Sequence, residues 1–145
     1  MGPCGCDELI FNERCIEKST SIVVTTLRPP DLGYLSAFSS GSHLAGVALL
    51  TDWKKDYDLP GDVIKGAVLS SGLYDLKAVR LSARSKYVNI TDEIEEALST
   101  QRHLAKIRTP LVLAHGTYET PEFQRRTRDF AAALKAVNKP EVFHQ

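Results

Sequence analysis

Three apolar runs, each closed by small residues, set the architecture open to this chain. They are residues 34–38 (Tyr-Leu-Ser-Ala-Phe), 63–70 (Val-Ile-Lys-Gly-Ala-Val-Leu-Ser) and 110–115 (Pro-Leu-Val-Leu-Ala-His). None alternates cleanly between apolar and polar residues, so each reads as a strand buried on both faces. Residues 39–50 follow the first run and are apolar nearly all round past their first turn, which describes a buried helix. Thr91 is an N-cap followed by the first-turn acids Asp92 and Glu93, and it opens a short helix with Ile94, Ala97 and Leu98 inward. The longest helix starts at Thr120 with Pro121 in its first position and carries Phe123, Phe130, Leu134 and Val137 at helical spacing. Asn138 and Pro140 stop it, and residues 141–144 begin a last strand. Strands alternating with helices imply βαβ crossovers and a mostly parallel sheet covered on both faces, an α/β fold.

Residues 1–30 are different. Apart from one β-branched strand at residues 21–27 they show neither helical nor alternating periodicity, and Pro29-Pro30 breaks regular structure. The chain therefore divides into an irregular segment (1–30) and an α/β domain (31–145). At 145 residues it has the length of one ordinary domain. Eighteen Lys and Arg balance eighteen Asp and Glu, which argues against nucleic-acid binding through excess positive charge. No run approaches the roughly 18 apolar residues of a membrane span, and no signal-peptide pattern opens the chain, so a cytoplasmic protein without a membrane partner is expected. Cys4, Cys6 and Cys15 form no paired metal motif and read as inert thiols; no metal is expected.

In open parallel sheets ligands bind beyond the carboxyl ends of the strands. The first such end is Ala37-Phe38-Ser39-Ser40-Gly41, a relaxed form of the G-x-S-x-G turn that exposes a serine hydroxyl above the sheet. There Ser39 is a candidate nucleophile, and the Ser40 N–H at the helix start is a candidate oxyanion donor. The plainer alternative is a serine-rich N-cap. The third strand end places Glu119 in the turn before the long helix, positioned as the acid that orients a histidine. Asp75, after the second strand, is the rival acid, although an Asp in such a turn more often bonds local backbone amides.

Several blocks together resemble one family. Residues 39–46 (Ser-Ser-Gly-Ser-His-Leu-Ala-Gly), 50–53 (Leu-Thr-Asp-Trp), 66–76 (Gly-Ala-Val-Leu-Ser-Ser-Gly-Leu-Tyr-Asp-Leu), 119–123 and 128–135 are similar, in order and approximate spacing, to the kynurenine formamidase (arylformamidase) branch of the α/β hydrolases. The resemblance runs from about residue 33 to 142, the C-terminal half of such an enzyme. It implies hydrolysis of N-formylkynurenine, aryl formamides or small esters through an acyl-enzyme, without cofactor, and a place in tryptophan catabolism. Ser39 falls on the family nucleophile and Glu119 on its acid. The family's His-Gly-Gly oxyanion segment has no counterpart here, and its catalytic histidine falls beyond Gln145, leaving His144 as the nearest candidate. His43 and His103 read as structural, and His115 precedes the acid. Two functions follow: a truncated, feebly active serine hydrolase, or a catalytically incomplete hydrolase-like domain with a binding role. A half-sheet also implies a free edge beside residues 34–38 or 141–143, open to self-association.

Overall fold

The computed structural model describes residues 22–28, 32–86, 88–139 and 141–144. Cys4, Cys6, Cys15 and most of the expected irregular segment lie outside them. Five strands form one sheet in sequence order: β1 (Ile22–Arg28), β2 (Leu32–Phe38), β3 (Ile64–Ser70), β4 (Leu111–Ala114) and β5 (Glu141–His144). β1 runs antiparallel to β2, and the pairs β2–β3, β3–β4 and β4–β5 are parallel. The helices are α1 (Ser40–Ala48), α2 (Trp53–Tyr57), α3 (Lys77–Arg80), α4 (Asp92–Leu98) and α5 (Pro121–Ala136), with short 3₁₀ turns between α3 and β4. Among the described residues no helix is long and apolar enough to cross a membrane.

Among the described residues the sheet is covered on one face, not two. Leu35, Ala37, Ala67, Leu69, Leu111 and Leu113 share one face and join a single core with Ala45 and Ala48 of α1 and Phe130, Ala131 and Leu134 of α5. The alternate positions Tyr34, Phe38 and Val68 are exposed. The reason is topological. A parallel crossover is right-handed, and β2 through β5 step always in the same direction across the sheet, so every crossover helix lands on the same side. Only a reversal of strand order would send helices to the other face, and the described strands contain none. β1 also corrects the expected edge: it pairs along β2, so the edges among the described strands are β1 and β5.

The core is tightest under α5. Phe130, Leu134 and Tyr74 are fully buried, and the Phe130 and Tyr74 rings stack at a centroid distance of 4.0 Å. Gly72 lets that tyrosine fold back over the chain: a Cβ there would lie 2.4 Å from Tyr74 Cζ. Burial also pushes the Tyr74 hydroxyl pKa upward, against a smaller opposite effect of the Gly72 backbone. Thr91 caps α4 as expected, accepting from the Ile94 N–H at 3.3 Å. The inward face of α4 differs from expectation, however. Ala97 is exposed and Glu95 is buried, because Arg80 (3.1 Å) and Arg102 (2.6 Å) neutralise the Glu95 carboxylate. Val137, expected in the apolar stripe of α5, is 46% exposed where the chain turns away at Asn138.

Candidate active site

Phe38, Ser70, Ala114 and His144 pair in one row across the carboxyl ends of the parallel strands. Ser39 is the next residue beyond that row, between β2 and α1. Its backbone sits at φ 56°, ψ −120°, a region that costs a residue with a side chain on the order of 1–3 kcal/mol and persists only where its surroundings enforce it. Two contacts do so here. The Ser39 N–H donates to Ser70 O at 2.9 Å, tying the turn to β3. The fully buried Ser42 hydroxyl lies 2.9 Å from Ala37 O and 2.7 Å from Ser70 O, sharing its single proton between the adjacent strands β2 and β3. Ser39 stands at the N-cap position of α1, but its hydroxyl makes no capping bond there. Ser40 opens α1, where the first N–H groups of a helix have no intrahelical acceptor. Ser42→Ala should therefore lower stability by about 0.5–1.5 kcal/mol, the net worth of a typical hydrogen bond, since Ser70 O keeps the Ser39 N–H; it is read as a lower urea midpoint at unchanged slope.

Glu119 reaches the same edge of the sheet from the turn after β4. Its Oε1 accepts a hydrogen bond from the Ser71 hydroxyl at the end of β3. Its Oε2 is buried and has no hydrogen-bond partner among the described residues. Gly116 makes room for it, since a Cβ there would stand 3.3 Å from Oε1. The rival acid is occupied otherwise. Asp75 Oδ1 accepts from the Lys77 N–H at 2.9 Å and from the Arg102 guanidinium at 3.1 Å, the local backbone role foreseen for it plus an ion pair. Ser71 was not singled out from the sequence; the small pair Ser71-Gly72 at a strand end was the available signal.

Two of the histidines are held on backbone carbonyls: His43 Nε2 on Leu98 O at 3.1 Å and His103 Nε2 on Glu96 O at 2.6 Å. Neither bonds to Ser39 or Glu119. His115 is buried beside Gly116 at the end of β4, and the backbone of His144 ends β5 in register with Ala114. Burial holds the His43 pKa below its ordinary value near 6.5, against a smaller raising effect of the Leu98 carbonyl bond. The unfolded chain therefore binds the proton more readily, so stability present above pH 6.5 is lost as pH falls toward the depressed folded value. His43→Gln, which keeps a donor, should show a smaller drop in urea midpoint between pH 7 and pH 5 than the unaltered chain.

A cavity of about 460 Å³ opens at the opposite end of the sheet, lined by Leu50, Trp53, Lys55, Ile64 and Arg108, and is remote from Ser39. Among the described residues no cluster of His, Cys, Asp or Glu is arranged to hold a metal ion.

No protein-family profile matches the chain. Among curated proteins it is 32% identical over 108 residues to a kynurenine formamidase of Danio rerio, covering 71% of this chain and 36% of that protein. It is 32% identical over 114 residues to a kynurenine formamidase of Salmo salar, covering 75% and 38% respectively. The chain thus spans little more than a third of the length of these relatives. Among solved structures, a thioesterase-type protein of Silicibacter sp. superimposes with a TM-score of 0.56 at 20% identity, covering 76% of this chain and 41% of the other. An acylaminoacyl peptidase superimposes with a TM-score of 0.57 at 19% identity, covering 75% and 18%, and that of Pyrococcus horikoshii with 0.56 at 19%, covering 74% and 18%. At these identities the structural matches establish the fold.

Proposed function

We propose, from the premise that this chain has the α/β-hydrolase fold and resembles the kynurenine formamidases, that it is a serine hydrolase of the arylformamidase type with Ser39 as nucleophile. The observation that carries this reading is the forced φ of 56° at Ser39, between a parallel strand and a helix, with its hydroxyl left out of helix capping. Ser39 Oγ attacks the acyl or formyl carbon while its proton passes to a histidine. The Ser40 N–H at the start of α1 stabilises the oxyanion. Collapse breaks the bond to the amine or alcohol, which leaves with that proton, and water then releases the acyl group as an acid. Glu119 orients the histidine and stabilises its charged form through the buried Oε2. The substrates are aryl formamides such as N-formylkynurenine and small esters, without cofactor, in a cytoplasmic setting.

Turnover by the chain alone is expected to be slow, because His43 and His103 are committed to carbonyls. The base must then come from His115 or His144, and the floor below which turnover would not fall is roughly the 10³–10⁴-fold over water that a triad enzyme retains from binding and its oxyanion donors. Hydrolysis of p-nitrophenyl acetate and N-formylkynurenine should be weak yet dependent on Ser39; hydrolysis unaltered by Ser39→Ala would remove the reading. The same tethered histidines favour the second reading, a hydrolase-like domain that binds without turnover, which predicts no Ser39-dependent hydrolysis at all.

Self-association belongs to this proposal, with a second copy as the partner. The described sheet ends in two unpaired strand edges, Tyr34, Phe38 and Val68 are exposed on its uncovered face, and the chain's zero formal charge sets up no net repulsion between copies. Sedimentation should show mass increasing with concentration; a monodisperse monomer at high concentration would contradict it.

A further inference from the structure

We infer that Ser71 is a positioning residue for the Ser39 site: it holds the Glu119 carboxylate by one oxygen so that the other is presented to the base. The inference rests on the reading of Glu119 as the acid. Four observations converge on it. Ser71 is almost fully buried, at 2% exposure, although a serine gains nothing from burial unless its hydroxyl finds a partner. Its hydroxyl donates to Glu119 Oε1. Its backbone has φ 54°, a left-handed conformation that costs a serine more than a glycine, at the strand end adjacent to the one that carries Ser39. Its N–H donates to Ala114 O at 2.9 Å, which fixes the residue against β4, the strand whose following turn bears Glu119.

The physical consequence is an asymmetric carboxylate. A glutamate side chain left to itself rotates about its last bond and offers either oxygen to any donor. With Oε1 occupied by the Ser71 hydroxyl, rotation breaks that bond, and Oε2 stays at the buried position where no described group bonds to it. A burial of this kind is costly for a charged oxygen unless a donor arrives. An imidazole N–H supplied to Oε2 would satisfy it, and the tautomer of that histidine would then be set by Ser71 acting through Glu119. The chain thereby links Ser39 to the acid through β3: Ser39 N–H to Ser70 O, then Ser71 hydroxyl to Glu119.

The test uses Ser71→Gly in the full chain, because glycine accepts φ 54° and the change removes the hydroxyl with little backbone strain. Two readouts are taken. The first is the carboxyl ¹³C resonance of Glu119, assigned by its loss in Glu119→Gln, which should move in Ser71→Gly. The second is the rate at which a fluorophosphonate probe labels Ser39. It should fall roughly 10²-fold in Ser71→Gly, the scale of a 1 Å misplacement, and Ser71→Gly should add no further loss to Glu119→Ala. An unmoved Glu119 resonance overturns the inference. So does an equal slowing with and without Glu119, which would make Ser71 a merely structural residue. If Ser39 is not labelled in the unaltered chain, the serine-hydrolase reading fails, and the resonance alone decides whether Ser71 holds the carboxylate.

Discussion

Phe130→Ala is expected to cost about 3–5 kcal/mol, a large part of the 5–15 kcal/mol that holds a typical domain folded. Phe130 is fully buried and stacks on the equally buried Tyr74 at 4.0 Å. Both belong to the single core that joins α5 to Leu69 and Leu113 of the sheet. Truncation removes the ring's transfer free energy and leaves a cavity that its surroundings cannot close. Tyr74 is pinned over Gly72, and Leu113 is fixed by the β3–β4 register. The urea midpoint reports the loss directly. Val137→Ala just past the C-terminal end of that helix, at a position 46% exposed, should change stability by no more than about 0.5 kcal/mol. Comparable midpoints for the two variants would show that α5 is not docked as described.

Much of the fold was legible because its strands are short apolar runs and its longer helices open at small polar residues or proline. Ser70 and Ala114 end their strands within a residue of where the runs end in the sequence, and Thr120-Pro121 begins the long helix. The one-sided sheet was not legible, because unbroken apolar runs do not reveal whether both faces are covered. Val68 and Tyr34 have the composition of buried strand residues and are exposed only because every crossover falls on the opposite side. Glu95 was missed for a related reason: its burial depends on Arg80 and Arg102, which helical spacing does not bring into view. At the site, Ser39 and Glu119 could be singled out because chain order and strand ends restrict where a nucleophile and an acid can stand. Ser71 and Ser42 could not, since each acts through a bond to a residue 28 or 48 positions away, a separation that no local pattern encodes.

Ser39→Ala carries the largest functional effect and tests the central claim, that the strained turn after β2 holds an activated serine. A serine hydroxyl is a poor nucleophile near neutral pH until a base within hydrogen-bond reach takes its proton. A fluorophosphonate probe therefore reports activation at individual serines, independently of which acyl group the chain prefers. The test is discriminating because the turn and the first turn of α1 together hold three serines, at positions 39, 40 and 42. Alanine keeps the backbone bond from residue 39 to Ser70 O, so the unfolding midpoint should stay close to that of the unaltered chain. Labelling in His115→Ala and His144→Ala then identifies the base. The decisive measurement is labelling of the full chain followed by mass analysis of the modified peptide. The account predicts modification at Ser39, abolished in a folded Ser39→Ala variant. Absence of modification in the unaltered chain, or equal modification in both, would contradict it.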